Sequence, residues 1–504
     1  MLIMNRFFRF ILFAAGTLLL GCGGGSAHAQ ESFSIEMGLG EVIATAHEQS
    51  PSAVLARHNF VVSYWQYRTY KAQYLPSLNL QGSLGQYNRS FSAVQSSETG
   101  EINYVSNNNM RNSLGLSIDQ NIPFTGGSLS VITSLSRLDQ FSPLNKITYN
   151  SAPINISYNQ PINGYNSLKW EKKIEPKKYE LAKRNYIETM EAISVTAVGY
   201  FFDLLIAQNR VAMAIKSRDN TRQLYNIAKE RFNIGSITKD ELLQLELRLL
   251  NDDISIRDNQ ISEGMAMRKL RTYLGYNESV KLVLKTPEEN PQFTVSVEDV
   301  MARVWENSSD ILNNEINSLS AEKAIAQAKA NSGLKASLYA QFGLNQVAEG
   351  LDNVYKSPLD QEVVGLTLSV PIIDWGLGRG RVKVAKSQAQ VIESQIEKSI
   401  NTLRENIALQ VMQFNLQGPQ CEVSRKAADV GLMRYNFAKE RFMNGSIGVT
   451  DLNTAQSEMD NANLRYLEDL SNYWKYYHNI QQMTLYDYVK GHKIEQNFEE
   501  LSKE

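Results

Sequence analysis

Tyr225-Asn-Ile-Ala-Lys-Glu-Arg-Phe-Asn-Ile-Gly235-Ser-Ile, at residues 225–237, returns at residues 435–447 as Tyr435-Asn-Phe-Ala-Lys-Glu-Arg-Phe-Met-Asn-Gly445-Ser-Ile. The two copies lie 210 residues apart (445 − 235 = 210) and align without a gap. In each copy a run with helical spacing ends at glycine, and a second helical run starts a few residues later. This pattern predicts a hairpin of two helices, and its repetition predicts an internally duplicated chain.

The duplication extends beyond the hairpin. Residues 41–80 align with residues 299–338 at a spacing of 258 (299 − 41 = 258), and Pro161 matches Pro371 at a spacing of 210. Both halves therefore share one order of elements. Because the spacing falls by 48 between these blocks (258 − 210 = 48), the first half holds 48 extra residues between about 84 and 153.

The composition excludes several classes of protein. The 504 residues carry a formal net charge of −2, which gives no electrostatic basis for nucleic-acid binding. Charged residues make up 21% and apolar residues 43%, a balance typical of neither a disordered protein nor a bundle of membrane helices. The 5 histidines are scattered, without cysteine or carboxylate neighbours at metal-ligand spacing. We therefore expect no cofactor, no metal and no enzymatic activity.

The N-terminus predicts export from the cytoplasm. Two arginines precede the apolar residues 10–20, which suit an export signal. Two processing sites fit: Leu19-Leu20-Gly21-Cys22 resembles a lipoprotein box that would lipidate Cys22, whereas Ala27-His28-Ala29 is a site for cleavage after Ala29. After this leader, we expect no apolar stretch of the roughly 18 to 20 residues that a transmembrane helix needs.

Each half of the chain changes from helical to strand periodicity and back. Two runs per half alternate apolar and polar residues over about ten positions, the length of a tilted strand that crosses a bilayer, and proline ends the second run. Helices are predicted at residues 40–74, 172–233 and 239–273 in the first half and at 298–331, 381–443 and 449–488 in the second. The two longest would each reach on the order of 90 Å.

The strand count predicts an assembly. Four matched strands per chain are too few to close a barrel, and open strand edges are not tolerated in hydrocarbon. Copies of the chain must supply the missing strands, and a symmetric trimer would close a barrel of about twelve. The predicted fold class is an α+β membrane protein, with a trimeric β-barrel of four core strands per chain continued by a long antiparallel α-helical coiled-coil barrel.

This order of elements resembles the TolC family of outer-membrane efflux and secretion channels. The resemblance is carried by Leu75-Pro76-Ser77 at the first strand and by the tips Arg231-Phe-Asn-Ile-Gly235-Ser and Arg441-Phe-Met-Asn-Gly445-Ser, which match the family's R-[YF]-x-x-G pattern. It implies a homotrimer in the outer membrane of a Gram-negative cell, in contact with lipid, with a large periplasmic portion. It also implies a periplasmic adaptor protein at the tips and an inner-membrane pump of the RND, ABC or MFS type.

The two tips are the candidate docking sites for the adaptor. The candidate residues form two matched sets, Arg231, Gly235, Ser236 and Ile237 in the first tip and Arg441, Gly445, Ser446 and Ile447 in the second. A left-handed residue at a helix C-terminus is by itself sufficient reason for each glycine. The copied serine and isoleucine favour docking, since capping does not require them.

Asp451 is the candidate gate residue. It lies 6 residues after Gly445 (451 − 445 = 6), where the resemblance implies an acidic residue of the periplasmic constriction. Three copies around a threefold axis would form a carboxylate ring that selects cations. The alternative is an aspartate favoured in a first helical turn by the helix dipole. The family's second acidic position, three residues further on, is Thr454 here.

The 48 extra residues (258 − 210 = 48) predict an added hairpin at about residues 91–140. Leu114, Leu116 and Ile118 alternate with polar residues, and Thr125-Gly126-Gly127 predicts a turn. If this hairpin joined the wall, a trimer would have eighteen strands. We expect it to lie outside a barrel of about twelve.

The predicted domain organisation follows the repeat. It comprises an export signal at 1–29 (or 1–21 for a lipoprotein), a first repeat at 30–276 with its tip at 233–238, a connector at 277–296, a second repeat at 297–489 with its tip at 443–450, and a charged tail at 490–504 that we expect to fray. The predicted function is a passive outer-membrane exit channel of a tripartite efflux or type I secretion system. The alternative is a structural coiled-coil envelope lipoprotein that bridges membrane and periplasm without a pore.

Overall fold

The computed structural model of the chain describes residues 33–95, 100–142, 144–287 and 291–502. The predicted processing sites at Cys22 and Ala29 lie outside the described residues. The first half contains β1 (Phe33–Met37), α1 (Leu39–Gln49), α2 (Pro51–Ala72), β2 (Ser77–Gln95), β3 (Ile102–Ile122), β4 (Gly127–Ser142), β5 (Lys146–Pro161), α3 (Ser167–Asn233) and α4 (Lys239–Leu274). The second half contains β6 (Val280–Leu284), α5 (Val297–Asn307), α6 (Ser309–Asn331), β7 (Lys335–Ala348), β8 (Leu359–Ser369), α7 (Leu377–Met443), α8 (Val449–Thr484), β9 (Tyr486–Asp487), β10 (His492–Lys493) and α9 (Phe498–Leu501).

The long helical hairpins appear once in each half. Helices α3 and α7 have 67 residues each, and the return helices α4 and α8 have 36 each. At 1.5 Å per residue the longer helices extend about 100 Å. Pro176 lies inside α3 and Pro419 lies inside α7, and both helices continue past their proline.

Six strands form one sheet in the order β2-β3-β4-β5-β7-β8, and every neighbouring pair is antiparallel. The added hairpin is β3 and β4, and it lies inside this sheet. The expectation that it lies outside a wall of four strands per chain was wrong, because the chain contributes six strands to one sheet. Backbone hydrogen bonding explains why the hairpin lies within the sheet. Strand β3 bonds to β2 on one side and β4 bonds to β5 on the other, so both outer edges of the hairpin have backbone partners.

Two helices predicted as single runs are each divided in two. Ser50 separates α1 from α2 and accepts a hydrogen bond from the Ala53 amide, with Pro51 as the first residue of α2. Ser308 separates α5 from α6 and accepts a hydrogen bond from the Asp310 amide. A serine N-cap at the same place in both halves bends the chain where the long hairpins pass beside it.

The largest core joins the two halves near the middle of the long helices. Strand β1 pairs in parallel with β6, the short strand of the connector. Around this ladder, α1, α3 and α4 bury apolar side chains that include Phe201, Phe202 and Leu270. The tail contributes to the same core, because Phe498 of α9 packs on Phe60 with ring centroids 5.0 Å apart. The expectation of a frayed tail was therefore wrong for residues 490–502.

Candidate functional site

The six-stranded sheet has two chemically different faces, and the first is apolar. The register places Leu80 opposite Leu116 and Ile156 opposite Phe342. The side chains on this face include Leu80, Leu116, Ile118, Val131, Ile156, Leu338, Phe342 and Leu366, none of which is buried. An exposed apolar surface that continues over six strands is characteristic of the lipid-facing side of a membrane sheet.

The opposite face of the sheet is mainly polar. It carries Asn79, Ser117, Asp119, Ser130, Ser157, Gln341 and Thr367 at paired positions. Asp119 accepts hydrogen bonds from the Asn79 amide (3.0 Å) and from the hydroxyls of Ser117 (2.8 Å) and Ser130 (2.6 Å). One face therefore suits hydrocarbon and the other suits water, as in a barrel wall around an aqueous lumen.

The two tips end their long helices with the same backbone geometry. Gly235 and Gly445 both have φ = 76°, in the left-handed region. The Gly235 amide donates to the Phe232 carbonyl and the Ser236 amide donates to the Arg231 carbonyl, and the second tip repeats both bonds. This pairing is a Schellman motif, which satisfies the last carbonyls of a helix and requires a left-handed residue. The geometry therefore accounts for both glycines without a partner protein.

The isoleucines of the tips have a structural contact. Ile237 and Ile447 are half-buried and pack against one small cluster that contains Leu245, Phe442 and Leu452. This cluster holds the first hairpin against the second at their common end. The serines that precede the isoleucines, Ser236 and Ser446, are exposed.

The arginines of the two tips are placed differently. The Arg231 guanidinium donates from Nη2 to the Met443 carbonyl at 2.8 Å, so it ties the first tip to the second. Arg441 occupies the matching position of the second tip and is exposed. Of the tip residues predicted from the sequence, Ser236, Ser446 and Arg441 are therefore the most available to a partner.

Asp451 is exposed in the first turn of α8. Its carboxylate lies at the positive end of the helix dipole, which is favourable whether or not it serves as a gate. Thr454 donates its hydroxyl to the Thr450 carbonyl within the same helix. The first hairpin restarts with a capping box, in which Thr238 and Glu241 bond to each other's backbone amides, as expected of those residue types.

A polar cluster between the two hairpins was not found from the sequence. Asp252 of α4 accepts the hydroxyl of Thr221 of α3 at 2.6 Å, and Arg248 donates to Gln456 of α8 at 3.2 Å. Asp460 of α8 lines an adjoining cavity of about 250 Å³. Burial raises the pKa of the Asp460 carboxyl to about 6, although the nearby Arg248 acts in the opposite direction. The members come from three helices in both repeats, so no local motif marks them.

A second buried polar group joins α1, α3 and α8. His478 Nδ1 lies 3.1 Å from the Glu191 carboxylate. His47 Nε2 lies 3.0 Å from the Met190 carbonyl and 2.8 Å from the Ser194 hydroxyl. Since a carbonyl only accepts, the Met190 contact is a hydrogen bond in the tautomer that carries the proton on Nε2, whereas the Ser194 hydroxyl can bond to either tautomer. Burial lowers the pKa of His47, and the neighbouring Glu191 opposes that shift.

Two further features of the chain bear on the function. Within the described residues, no group of three or more histidine, cysteine, aspartate or glutamate side chains is placed to hold a metal ion. One helix of that part of the chain, α3, contains an apolar window long enough to cross a membrane, which the sequence analysis did not expect. Since 61% of this window is buried inside the protein, core packing is a sufficient reason for its composition.

Comparison with known proteins agrees with this geometry. Residues 300–484 match the family described as Outer membrane efflux protein. No curated protein sequence matches the chain. The predicted resemblance is confirmed by the family match together with the fold, and the predicted location in the outer membrane with a periplasmic portion is confirmed as well. The family is one of efflux proteins and not a class of enzymes.

Solved structures share the fold over most of the chain. The CmeC outer membrane channel of Campylobacter jejuni matches with a TM-score of 0.64 at 15% identity, over 92% of this chain and 89% of that one. The outer membrane protein VceC of Vibrio cholerae matches with a TM-score of 0.60 at 14% identity, over 91% and 97%. The MtrE outer membrane channel of Neisseria gonorrhoeae matches with a TM-score of 0.56 at 16% identity, over 87% and 88%. The helical and sheet portions of the predicted fold class are thereby confirmed.

Proposed function

We propose that the protein is a passive exit channel of a tripartite efflux or type I secretion system, assembled as a homotrimer. The observation that carries the proposal is the two-faced sheet, whose strands lead directly into two helical hairpins with long helices of 67 residues each. A sheet with one apolar and one polar face supports a barrel wall. Helices of this length support a duct that extends well into the periplasm, because about 100 Å far exceeds the thickness of a bilayer.

The tips are the proposed contact with the periplasmic adaptor. Ser236, Ser446 and Arg441 present polar groups at the end of the hairpins that is farthest from the sheet. An inner-membrane pump of the RND, ABC or MFS type supplies the energy in this proposal, and the channel contributes only a path. Asp451, near the second tip, is the proposed gate residue, through a ring of carboxylates from three copies.

Conductance of the purified protein in planar bilayers tests the channel. A matched pair of variants separates the two faces of β5: Ile156→Arg places a charge on the apolar face, and Asn155→Arg places the same charge on the polar face. Arginine on the lipid side of a membrane strand costs about 2 to 4 kcal/mol at the bilayer midplane. We expect Ile156→Arg to lose membrane insertion and conductance, and Asn155→Arg to insert and conduct.

The opposite results contradict the proposal. A structural envelope lipoprotein without a pore would give no conductance in the wild type. Equal tolerance of arginine at both positions would show that neither face of β5 contacts lipid. Reconstitution is measured by flotation with liposomes, so that failure to insert is distinguished from a closed channel.

A further inference from the structure

The six-stranded sheet leaves its two end strands without partners inside the described chain. These strands are β2 and β8. Every residue of β8 is exposed except the half-buried Gly365. The portions nearest the helices, residues 77–84 of β2 and 363–369 of β8, contain neither proline nor a charged residue, which soluble proteins place on edge strands to prevent pairing. Both edges are therefore suited to bond with another strand.

The apolar face continues to both edges. Leu78 and Leu80 of β2 are 65% and 70% exposed, and Leu366 and Leu368 of β8 are 58% and 59% exposed. Unpaired backbone amides and carbonyls at that level would face hydrocarbon, at a cost of several kcal/mol per group. Six strands are also fewer than the eight of the smallest outer-membrane barrels, so one chain cannot satisfy its own edges.

The strand directions allow the two edges to join between copies. Strand β2 follows α2 and runs away from the helices, whereas β8 runs toward α7. A junction of β8 with β2 is therefore antiparallel, like every other pair in the sheet. The added hairpin changes the number of strands and leaves this junction unchanged, since it lies between β2 and β5.

We infer that β8 of one copy pairs with β2 of the next, and that three copies close a barrel of eighteen strands. This inference rests on the proposed trimeric channel and specifies its outer end. Barrel diameter grows roughly in proportion to strand number, so the ring is about 1.5 times as wide as one of twelve strands. Barrels of 16 to 18 strands enclose an aqueous channel, and the polar face of this sheet suits such a lumen. The barrel consequently admits large hydrophilic solutes, and the size limit on cargo lies in the helical portion.

Disulfide cross-linking tests the strand order in a Cys421→Ser background. Four double variants combine Asn79→Cys or Gln81→Cys in β2 with Gly365→Cys or Thr367→Cys in β8, all on the polar face. We expect at least one of them to give linked dimers and trimers on a non-reducing gel after mild oxidation of the membrane-inserted protein. Each single variant serves as the control for any cross-link that involves Cys22.

Two intrachain pairs calibrate the experiment. Asn79→Cys with Ser117→Cys joins register partners in β2 and β3 and should form a disulfide within one chain. Gln81→Cys with Ser157→Cys joins β2 to β5, which would be neighbours only if the added hairpin lay outside the wall. In the order seen here three strand spacings separate them, roughly 14 Å, which is beyond disulfide reach. We expect no cross-link for this pair.

A β2 to β5 disulfide, or failure of all four intersubunit pairs while the β2 to β3 control forms, would overturn the inference. A native mass of two copies would also overturn it, because two copies give twelve strands. Polymer exclusion adds a functional measurement, in which polyethylene glycols of graded size should enter from the sheet side at larger sizes than from the tip side. Equal cut-offs from both sides contradict a wide barrel. If the wild-type protein still conducts in any of these cases, the proposed channel function stands and only the strand order is refuted. If the wild-type protein does not conduct at all, the channel function itself is refuted.

Discussion

Arg231 and Met443 join the two helical hairpins at their tips, through a 2.8 Å hydrogen bond from the guanidinium to the backbone carbonyl. The bond links residues on opposite repeats, and the matching Arg441 is exposed. The same residue type thus has two different environments in a duplicated motif. Variants of the two arginines can separate cohesion of the tips from docking of a partner.

Replacement of Arg231 by glutamine should loosen the second tip. Loss of a hydrogen bond from a charged donor at a partly exposed site costs about 1 kcal/mol, which corresponds to roughly fivefold faster amide exchange where local opening limits exchange. Hydrogen exchange of residues 443–448 measures the effect. Arg441→Gln is the matched control and should leave exchange unchanged. Similar acceleration in both variants would mean that the Arg231 bond does not hold the tips together.

Adaptor binding should depend on the exposed tip serines. Ser446→Glu adds charge and bulk at the exposed surface, and we expect at least a tenfold loss of affinity for the adaptor with little change in thermal stability. Ile447→Ser removes an apolar contact with the tip cluster and should lower stability by about 1 kcal/mol. Affinity is measured by surface plasmon resonance and stability by thermal unfolding. If Ser446→Glu binds the adaptor with unchanged affinity, the second tip is not part of the docking surface.

The charge of Asp451 should control cation selectivity if three copies surround the axis. Asp451→Asn is expected to shift the reversal potential in a salt gradient toward zero and to lower the preference for K⁺ over Cl⁻ severalfold. Asp240 is likewise exposed in the first turn of a return helix, α4, one residue before the position that matches Asp451, and Asp240→Asn is the control. Equal shifts in the two variants would indicate a general surface-charge effect and no gate at Asp451.

The stability of the wild type should fall as the pH rises through the range in which Asp460 ionises. Its pKa is raised to about 6 by burial, from the usual 3.8, so the folded protein binds this proton more tightly than the unfolded chain does. The loss begins near pH 4 and is complete above about pH 6. Allowing for partial solvent screening, it is on the order of 1 kcal/mol.

Asp460→Asn should abolish that loss. The variant is expected to have a higher Tm than the wild type at pH 7.5 and the same Tm at pH 4, as measured by calorimetry in detergent. A wild type with a higher Tm than Asp460→Asn at pH 7.5 would contradict this. It would mean that Arg248 and Lys216 keep the Asp460 carboxylate charged in the folded protein.

His47 should make the stability of the protein fall as the pH is lowered, which is the reverse of the effect of Asp460. Burial lowers its folded pKa below the usual 6.5, so its contribution to stability is fully present above about pH 6.5 and is lost as the pH falls through the lowered value. His47→Gln keeps a donor for the Met190 carbonyl. Between pH 7.5 and pH 5, this variant should lose less stability than the wild type does. His58→Gln, at an exposed position, should behave as the wild type does. Identical acid sensitivity of all three proteins would exclude His47 as a source of it.

Periodicity in the sequence was sufficient to predict the hairpins and the two-faced strands. The copied glycines mark the tips, and alternation of leucine with polar residues marks the sheet. Alternation assigns a side chain to a face, but it does not identify the neighbouring strand. For that reason the sequence did not reveal that β3 and β4 lie between β2 and β5.

Long-range contacts account for the site residues that the sequence missed. Arg248 and Gln456 come from different repeats and meet only when the two hairpins pack. Arg231 and Arg441 share the flanking sequence Ala-Lys-Glu-Arg-Phe, and their environments differ because Arg231 bonds to the Met443 carbonyl of the other tip. The helix breaks at Ser50 and Ser308 had a local signal, a serine N-cap, that was outweighed by the helix formers on both sides.

The parallel ladder between β1 and β6 has a consequence for biogenesis. Phe33–Met37 lies near the start of the chain, and its partner Val280–Leu284 lies just past the midpoint. Since the partner strand follows 243 residues after the end of the first (280 − 37 = 243), the first strand has no backbone partner until that intervening chain has also been made. Its edge stays open throughout that interval, so the central core can form only after the first repeat is complete.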